Sequence, residues 1–257
     1  MRWRSRAVLG LPAGLAVLLL VVPLLALLVR ADWGRILPDL GSPAAGAALR
    51  LSLATTSTTA LIALVLGTPL AWLLARSDAA AIRWLRALLT VPLVLPPVVG
   101  GVALLMTWGR QGLIGSHLTA FGVQIPFTTV AVVLAETFVS MPYYVIAVEG
   151  AMRGLDTRLE SVARTLGASD LHYLRTVALP LVGPGIASGL ALAWARALGE
   201  FGGTITFAGN FPGRTQTAPL AVYVILEQDP QVAISISIAL LAVSVLVLGL
   251  IRGRWLR

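Results

Sequence analysis

RGLDTRLESVARTLGASDLHYLRTVALP, residues 153–180, is the longest mixed polar and apolar run in a chain that is otherwise mostly apolar. Thr157 and Glu160 have the spacing of a capping box, which predicts a helix that begins at Arg158. Gly167 suits the left-handed backbone position that ends such a helix. The first half of the run therefore predicts a short helix closed by a glycine.

A second short helix is expected after Ser169, a suitable cap, and it is expected to close at Leu179-Pro180 because proline interrupts a helix. Each helix has one apolar face. Such a pair between two membrane spans predicts a docking surface, and the alternative is a loop that lies on the lipid headgroups. The apolar positions are Leu159, Val162, Ala163 and Leu166 in the first helix and Leu171, Leu174 and Val177 in the second.

The composition around this run is that of a membrane protein. Hydrophobic residues make up 58% of the 257 positions, charged residues make up 12%, and the mean hydropathy is +0.90. Helices of about 20 apolar residues are long enough to cross a bilayer. The sequence therefore predicts an all-α membrane protein that forms one domain over residues 1–257. Six spans are expected, at Ala7 to Val29, Leu51 to Ala75, Ala87 to Trp108, Phe127 to Val148, Leu181 to Phe207 and Val232 to Ile251.

The arginines predict the orientation of these spans. Cytoplasmic loops of membrane proteins carry an excess of positive residues. If the N-terminus is cytoplasmic, most arginines fall inside, including those of the loop at about 149–180. The few that fall outside are Arg30, Arg35, Arg50, Arg110 and Arg214. Both termini are therefore expected in the cytoplasm, together with the two-helix loop.

Several kinds of chemistry have no support in the sequence. There is no phosphate-binding G-x-x-x-x-G-K-[ST] motif, no lysine and no cysteine. His117 and His172 are expected in loops on opposite sides of the membrane, so they cannot share a metal ion. No serine stands in a nucleophile elbow. We therefore expect no catalytic, cofactor or metal site and no nucleic-acid partner.

Two features inside the predicted spans point to a solute path. Arg196 and Glu200 are four residues apart and share one helical face, and charges at membrane depth usually pair and face the bundle interior. They either fix helix packing or border the path. Thr55, Thr58 and Thr59 share a face of the second span, and their hydroxyls either line the path or bond to neighbouring helices.

The two-helix loop resembles the cytoplasmic loop of ABC importer permeases, whose pattern is E-A-A-x-x-x-G-x9-I-x-L-P. The glycine and the terminal Leu-Pro stand at the matching spacing, while Ser161 and Val162 replace the first two letters and Glu160 stands one place earlier. The resemblance implies that this loop couples the permease to an ATPase. The residues implied are Glu160, Ser161, Val162, Ala163, Gly167, Ala168, Leu179 and Pro180.

A more specific resemblance, to molybdate ABC-transporter permeases, covers roughly Leu51 to Leu226. The stretches that carry it are LPPVVGG (95–101), WGRQGLIG (108–115), ETFVSMPYYV (136–145), ARALGEFG (195–202), FAGN (207–210) and PGRTQT (212–217). Sulfate permeases share much of this pattern. The resemblance implies the fold of a type I ABC importer permease in the bacterial inner membrane.

The same resemblance implies a function and its partners. The chain would be the permease subunit of an ATP-driven importer for molybdate, with tungstate as a second candidate. A second copy would complete the pathway, ATPase subunits would dock inside, and an oxyanion-binding protein would dock outside. The alternatives are a sulfate or thiosulfate ABC permease and, in another class, a stand-alone ion-coupled secondary transporter.

Overall fold

A computed structural model describes residues 2–252 and, within them, the side chains of residues 10–156, 158–247 and 249. All regular structure in this range is helical. In chain order the helices are α1 (Arg2–Arg30), α2 (Ile36–Leu40), α3 (Pro43–Ala75), α4 (Ala80–Val94), α5 (Pro97–Trp108), α6 (Gly115–Ala120), α7 (Thr129–Arg153), α8 (Thr157–Thr165), α9 (Asp170–Tyr173), α10 (Leu179–Leu198), α11 (Gly202–Phe207), α12 (Ala218–Ile225) and α13 (Pro230–Arg252). A π-helical turn, Leu174–Ala178, joins α9 to α10.

The membrane-spanning helices follow the sequence prediction in number. In the described part of the chain, five helices are long and apolar enough to cross a bilayer, and a sixth span is available if the bent pair α4 and α5 counts as one. The all-α prediction with six spans is therefore confirmed. The five are Gly10–Arg30, Pro43–Ala75, Thr129–Arg153, Asp170–Leu198 and Pro230–Val247.

The third span differs from the continuous helix that the sequence predicts. It consists of α4 and α5, and the helix direction bends by 117° between them. Pro96 and Pro97 have no N–H, so they cannot extend α4, whereas a proline in the first turn of α5 costs nothing. At about 1.5 Å per residue, the 15 residues of α4 span less than the ~30 Å of a bilayer core.

The fifth span also differs from its prediction. Its helix ends at Leu198, and the separate helix α11 follows after a break at residues 199–201. Glu200 lies in the break, where its Oε1 accepts a hydrogen bond from the N–H of Gly203 at 2.8 Å. A carboxylate is stabilised at a helix N-terminus, so this residue favours the start of a new helix.

The second span begins earlier than predicted. The predicted loop from Arg30 to Arg50 contains α2 and the first turns of α3. Ser42 caps α3, because its Oγ accepts a hydrogen bond from the N–H of Ala45 at 3.3 Å, and Pro43 follows at the first helical position. Serine as cap and proline next are the usual start of a helix.

The centre of the bundle is the packing of α3 against α7 and α10. Tyr144 of α7 is fully buried, and its hydroxyl lies 2.6 Å from the Thr68 hydroxyl of α3. A Cβ added to Gly67 would lie 2.6 Å from the Tyr144 ring, so only glycine allows this approach. The contact fixes the spacing of the helices that carry the polar groups described next.

The first span lies apart from this core. None of its residues from Gly10 to Arg30 is buried, and it packs mainly against α13. Its side chains are almost all apolar. A bilayer or a second protein chain must therefore cover this helix.

Candidate functional site

The two-helix loop begins at α8. Asp156 caps this helix, with its Oδ1 accepting from the N–H of Arg158 at 2.9 Å, so the helix starts one residue earlier than predicted. At its end, the N–H of Ala168 bonds the carbonyl of Ala163 at 3.0 Å. Gly167 has φ of +83°, the left-handed conformation that the sequence predicts for this glycine.

The second helix does not close at proline as predicted. Ser169 caps α9 by accepting from the N–H of His172 at 3.2 Å, and the chain then passes through the π-helical turn directly into α10. Pro180 lies in the first turn of α10. The N–H of Leu179 bonds the carbonyl of Leu174, five residues back, so the helix widens just before the residue that cannot donate.

The apolar stripe of α8 faces outward. Val162 is 58% exposed and Leu166 is 81% exposed. Beside them, the turn at Gly167 forms an open hollow of about 520 Å³. The hollow is lined by Ala163, Leu166, Gly167, Ala168, Ser169, His172, Tyr173 and Val177. The loop thus presents an uncovered apolar surface with a hollow at its turn.

The other side of α8 is bound to α3 through charges. Arg76, at the end of α3, binds Glu160 with its Nη2 2.5 Å from Oε2, and Glu160 also binds Arg164 at 2.9 Å. Arg164 in turn binds Asp170 at 3.1 Å. Glu160 belongs to the predicted loop, whereas Arg76 is far away in the chain and carries no local signal that would predict this contact.

A second missed network surrounds Glu149, which is 6% exposed near the end of α7. Its Oε1 accepts from Arg86 at 2.8 Å and from Arg153 at 3.0 Å. Arg153 also binds Asp78 at 3.0 Å. The i, i+4 spacing of Glu149 and Arg153 was visible in the sequence, but their partners in α4 and in the preceding loop were not.

The intramembrane charges form an ion pair. Arg196 Nη2 lies 2.9 Å from Glu200 Oε2, with Glu200 almost completely buried and Arg196 partly exposed. Arg196 borders a cavity of about 260 Å³ at the bend between α4 and α5, whose lining includes Pro96 and Tyr143. The pair therefore places a partly neutralised cation beside the broken span.

The three threonines have different surroundings. The hydroxyls of Thr55 and Thr59 donate to Glu136 of α7, at 2.8 Å and 3.1 Å, and all three side chains are buried. Thr58 is exposed, and its hydroxyl donates to the carbonyl of Ala54 at 2.8 Å. Thr55 and Thr59 thus hold α3 to α7. The lining role of all three threonines stays a prediction, and Thr58 is the one whose side chain is exposed.

At the opposite end of the bundle, exposed groups surround the chain between α5 and α7. Arg110 binds Gln124 at 2.8 Å, and the Phe127 and Phe211 rings meet edge to face with centroids 6.1 Å apart. Between two other loops, which precede α2 and α13, the Arg35 guanidinium binds Asp229 at 3.1 Å and holds the pKa of that carboxyl below its ordinary value. These contacts order the loops at this end.

The histidines and carboxylates of the described residues lie apart from one another or pair with arginines and hydroxyls. Among the described residues, no group of three or more His, Asp or Glu side chains is placed to hold a metal ion. His172 lines the hollow of the two-helix loop, and His117 lies in α6. The polar groups that converge are therefore those of the loop, the Glu149 network and the bundle interior.

Comparison with known proteins places these features in a family. Residues 67–256 match the family model described as binding-protein-dependent transport system inner membrane component. The chain is 48% identical over 237 residues to the molybdenum transport system permease protein ModB of Mycobacterium tuberculosis, which covers 92% of this chain and 90% of that protein. It is 32% identical over 235 residues to the sulfate transport system permease protein CysT of Salmonella typhimurium, with 90% and 85% covered.

The fold has a counterpart among solved structures. A bacterial alginate ABC transporter in complex with a pentasaccharide-bound periplasmic protein matches with a TM-score of 0.73 at 14% identity, covering 98% of this chain and 92% of that chain. The expected fold of a type I ABC importer permease is thereby confirmed. The matched family model covers well over half of the sequence. The chain therefore belongs to the family of binding-protein-dependent transport system inner membrane components.

Proposed function

We propose that this chain is the transmembrane permease subunit of an ATP-driven ABC importer for molybdate, with tungstate as a second substrate. The observation that carries the proposal is that the sequence of this chain is 48% identical to a molybdenum permease and only 32% identical to a sulfate permease. The chain acts as one transmembrane domain over residues 1–257. It performs no covalent chemistry itself, and a separate subunit hydrolyses ATP.

The coupling loop at about 149–180 is the docking surface for that ATPase subunit. The uncovered stripe of α8 and the hollow at Gly167 support this assignment, because an amphipathic helix of this kind binds in an apolar groove. Leu179 and Pro180 lie where the loop joins α10, so movement of the loop would reach that span directly. Ser161, on α8, belongs to the same docking surface.

The loop and both termini lie in the cytoplasm of the bacterial cell, and the chain spans the inner membrane several times. The arginine distribution supports this orientation. The cationic end that carries Arg76, Arg83, Arg86 and Arg153 is also the end that carries the loop. The opposite end is then the docking surface for an extracytoplasmic oxyanion-binding protein, and its exposed Arg110 suits an acidic partner.

A second copy of this chain completes the transporter. The uncovered span α1 supports a homodimer within the lipid bilayer. So does an apolar groove of about 540 Å³ between α3, α10 and α13, which includes Leu61, Leu190 and Trp194. The pathway for the solute would then run along the interface between the two copies.

Arg196, together with Glu200, borders that pathway at the broken span. Partial neutralisation of Arg196 suits transport, because passage requires that the anion bind only weakly on the way. High affinity belongs to the external binding protein. The exposed hydroxyl of Thr58 adds a polar group to the same route.

Uptake by reconstituted vesicles tests the proposal. The permease, its ATPase and an oxyanion-binding protein are assembled in proteoliposomes, and uptake of labelled molybdate is measured with ATP or with a non-hydrolysable analogue. We expect ATP-dependent uptake that excess tungstate suppresses and excess sulfate does not. Suppression by sulfate or thiosulfate would instead assign the chain to those anions.

The same vesicles test the alternative of an ion-coupled secondary transporter. Glu136 favours this alternative, because it is a buried carboxyl without an arginine partner among the described residues. Uptake driven by a proton or sodium gradient in the absence of ATP and of the ATPase subunit would overturn the ABC importer assignment.

A further inference from the structure

Arg76 lies at the C-terminus of α3, where three separate elements meet its guanidinium. Glu160 of α8 binds it at 2.5 Å. Its Cζ lies 3.9 Å from the ring centroid of Trp72, one turn back in α3, and 5.7 Å from that of Tyr173 in α9. Trp72 and Tyr173 themselves are 6.2 Å apart. The arginine is thus held between two aromatic rings and a carboxylate.

These contacts occur in a partly dry setting. Tyr173 is only 4% exposed, and the side chains of Arg76 and Glu160 are each less than one third exposed. Ion pairs and cation–π contacts are stronger where water is partly excluded. A flexible ion pair on the surface would barely restrict its two side chains. This arrangement instead holds Arg76, Glu160 and the two aromatic rings in one geometry. Arginine suits it because the planar guanidinium can stack and form an ion pair at once.

The link divides the surface of α8 into two functions. Glu160 faces α3, while Val162 and Leu166 face outward. Glu160 also binds Arg164, which binds Asp170 at the start of α9, so both short helices are joined to the same anchor. The docking surface can therefore keep its outward face even if its anchor on α3 is lost.

We propose that Arg76 is a positioning residue that fixes the coupling loop to the end of α3, so that movement of the loop is transmitted to the span at the centre of the bundle. This inference rests on the proposed function, since it requires an ATPase subunit that moves the loop. The contacts of Arg76 supply a second route of transmission, in addition to the direct continuation of the loop into α10. Arg76, Trp72, Tyr173 and Glu160 form the anchor.

The first experiment separates docking from transmission. The variant Arg76→Ala is compared with Arg83→Ala, which changes an exposed arginine at the same end whose side chain, among the described residues, donates only to the carbonyl of Asp78. In proteoliposomes we measure the affinity for the ATPase subunit and the molybdate transported per ATP hydrolysed. We expect Arg76→Ala to retain ATPase binding but to transport about tenfold less per ATP, within the usual range for the loss of coupling between two sites. Arg83→Ala should match the wild type in both.

Transport per ATP in Arg76→Ala equal to that of Arg83→Ala would overturn the inference. A wild type that fails to bind an ATPase or to take up the anion would instead overturn the proposed function, so the two failures can be told apart. Because the chain has no cysteine, the double variant Arg76→Cys with Glu160→Cys supplies a second measurement in a folded protein. Joining the two thiols with a short bis-maleimide should restore transport per ATP. An efficiency that stays at the unlinked value after complete linkage would also overturn the inference.

Discussion

Arg196 and Glu200 are unequal partners, since Glu200 is almost fully buried and Arg196 borders a cavity. Removing Arg196 leaves the buried Glu200 carboxylate without its cation, at a cost of about 3 kcal/mol, the lower end of the range for buried pairs, whereas removing Glu200 leaves the partly exposed Arg196 and should cost less. We therefore expect the double variant Arg196→Ala with Glu200→Ala to lose less stability than the sum of the two single changes. Thermal unfolding of the purified variants measures this.

The exposed pair Arg110 and Gln124 is the matched control for that cycle. Its two alanine substitutions should add within about 0.5 kcal/mol, as expected for weakly interacting surface groups. Equal additivity in both cycles would show that the intramembrane pair contributes no coupling.

Neighbouring hydroxyls on α3 should differ in their access to water. Thr58 is exposed, whereas Thr59 is fully buried against Glu136. In this cysteine-free chain we expect Thr58→Cys to react with a water-soluble maleimide and Thr59→Cys to remain protected. The comparison is made in the assembled transporter with and without ATP. If Thr58→Cys reacts in neither state, the side chain faces lipid or protein and does not line the path.

The sequence was informative about residues only where partners are close along the chain. The ion pair of Arg196 and Glu200 follows from their spacing of four. The partner of Thr55 is 81 positions away, and nothing in a single sequence indicates that α3 and α7 pack in this register. The threonines of α3 could therefore be recognised as a group in the sequence, but Glu136 could not be identified as their partner.

At the scale of elements, the turn of the coupling loop allows a direct test. Gly167 has φ of +83° in open space, so a new side chain meets backbone strain and the docking partner, with no clash inside this chain. We expect the Gly167→Arg permease to insert in the membrane normally. Its affinity for the ATPase subunit should fall by about tenfold or more, as for an interface residue that contributes strongly to binding. Co-purification with the ATPase subunit measures this.

The control is Gly167→Asn, because asparagine tolerates the left-handed conformation better than other residues with a side chain. It should retain most of the binding. Loss of binding in Gly167→Asn equal to that in Gly167→Arg would indicate that the backbone conformation, and not the shape of the docking surface, limits association.

Prolines explain why element boundaries were only partly predictable. Pro96 and Pro97 end a helix and produce a bend of 117°, whereas Pro180 leaves its helix continuous. The π-helical turn before Pro180 shifts the hydrogen bonds by one residue and so accommodates the missing donor within a continuous helix. A proline in a sequence shows that one backbone N–H donor is missing. Whether the helix breaks there depends on the structure of the neighbouring turns.

For the whole molecule, the predicted orientation across the membrane can be tested by labelling from one side. Single cysteines placed at Ala81 and at Gln111 lie in exposed positions near opposite ends of the bundle. In intact cells we expect a membrane-impermeant maleimide to label Gln111→Cys, on the outside, and to leave Ala81→Cys unlabelled until the membrane is permeabilised. The reverse pattern would place the coupling loop outside and contradict docking of a cytoplasmic ATPase.

The number of spans was predictable at this scale because a bilayer imposes a minimum helix length on any sequence. The surroundings of α1 were not predictable, because a helix that is apolar on all sides does not indicate which face contacts protein and which contacts lipid.

The bend between α4 and α5 has a consequence for hydration. In an unbroken helix, the carbonyls of Pro92 and Leu93 would accept from residues 96 and 97, but both of these are prolines without a donor. Both carbonyl-bearing residues line the cavity that Arg196 also borders. Inside a bilayer, carbonyls that lack an intrahelical donor are tolerated where neighbouring protein groups satisfy them or where they line a water-filled cavity. We therefore expect water in this cavity, where it would hydrogen-bond to the two carbonyls and to the exposed part of Arg196.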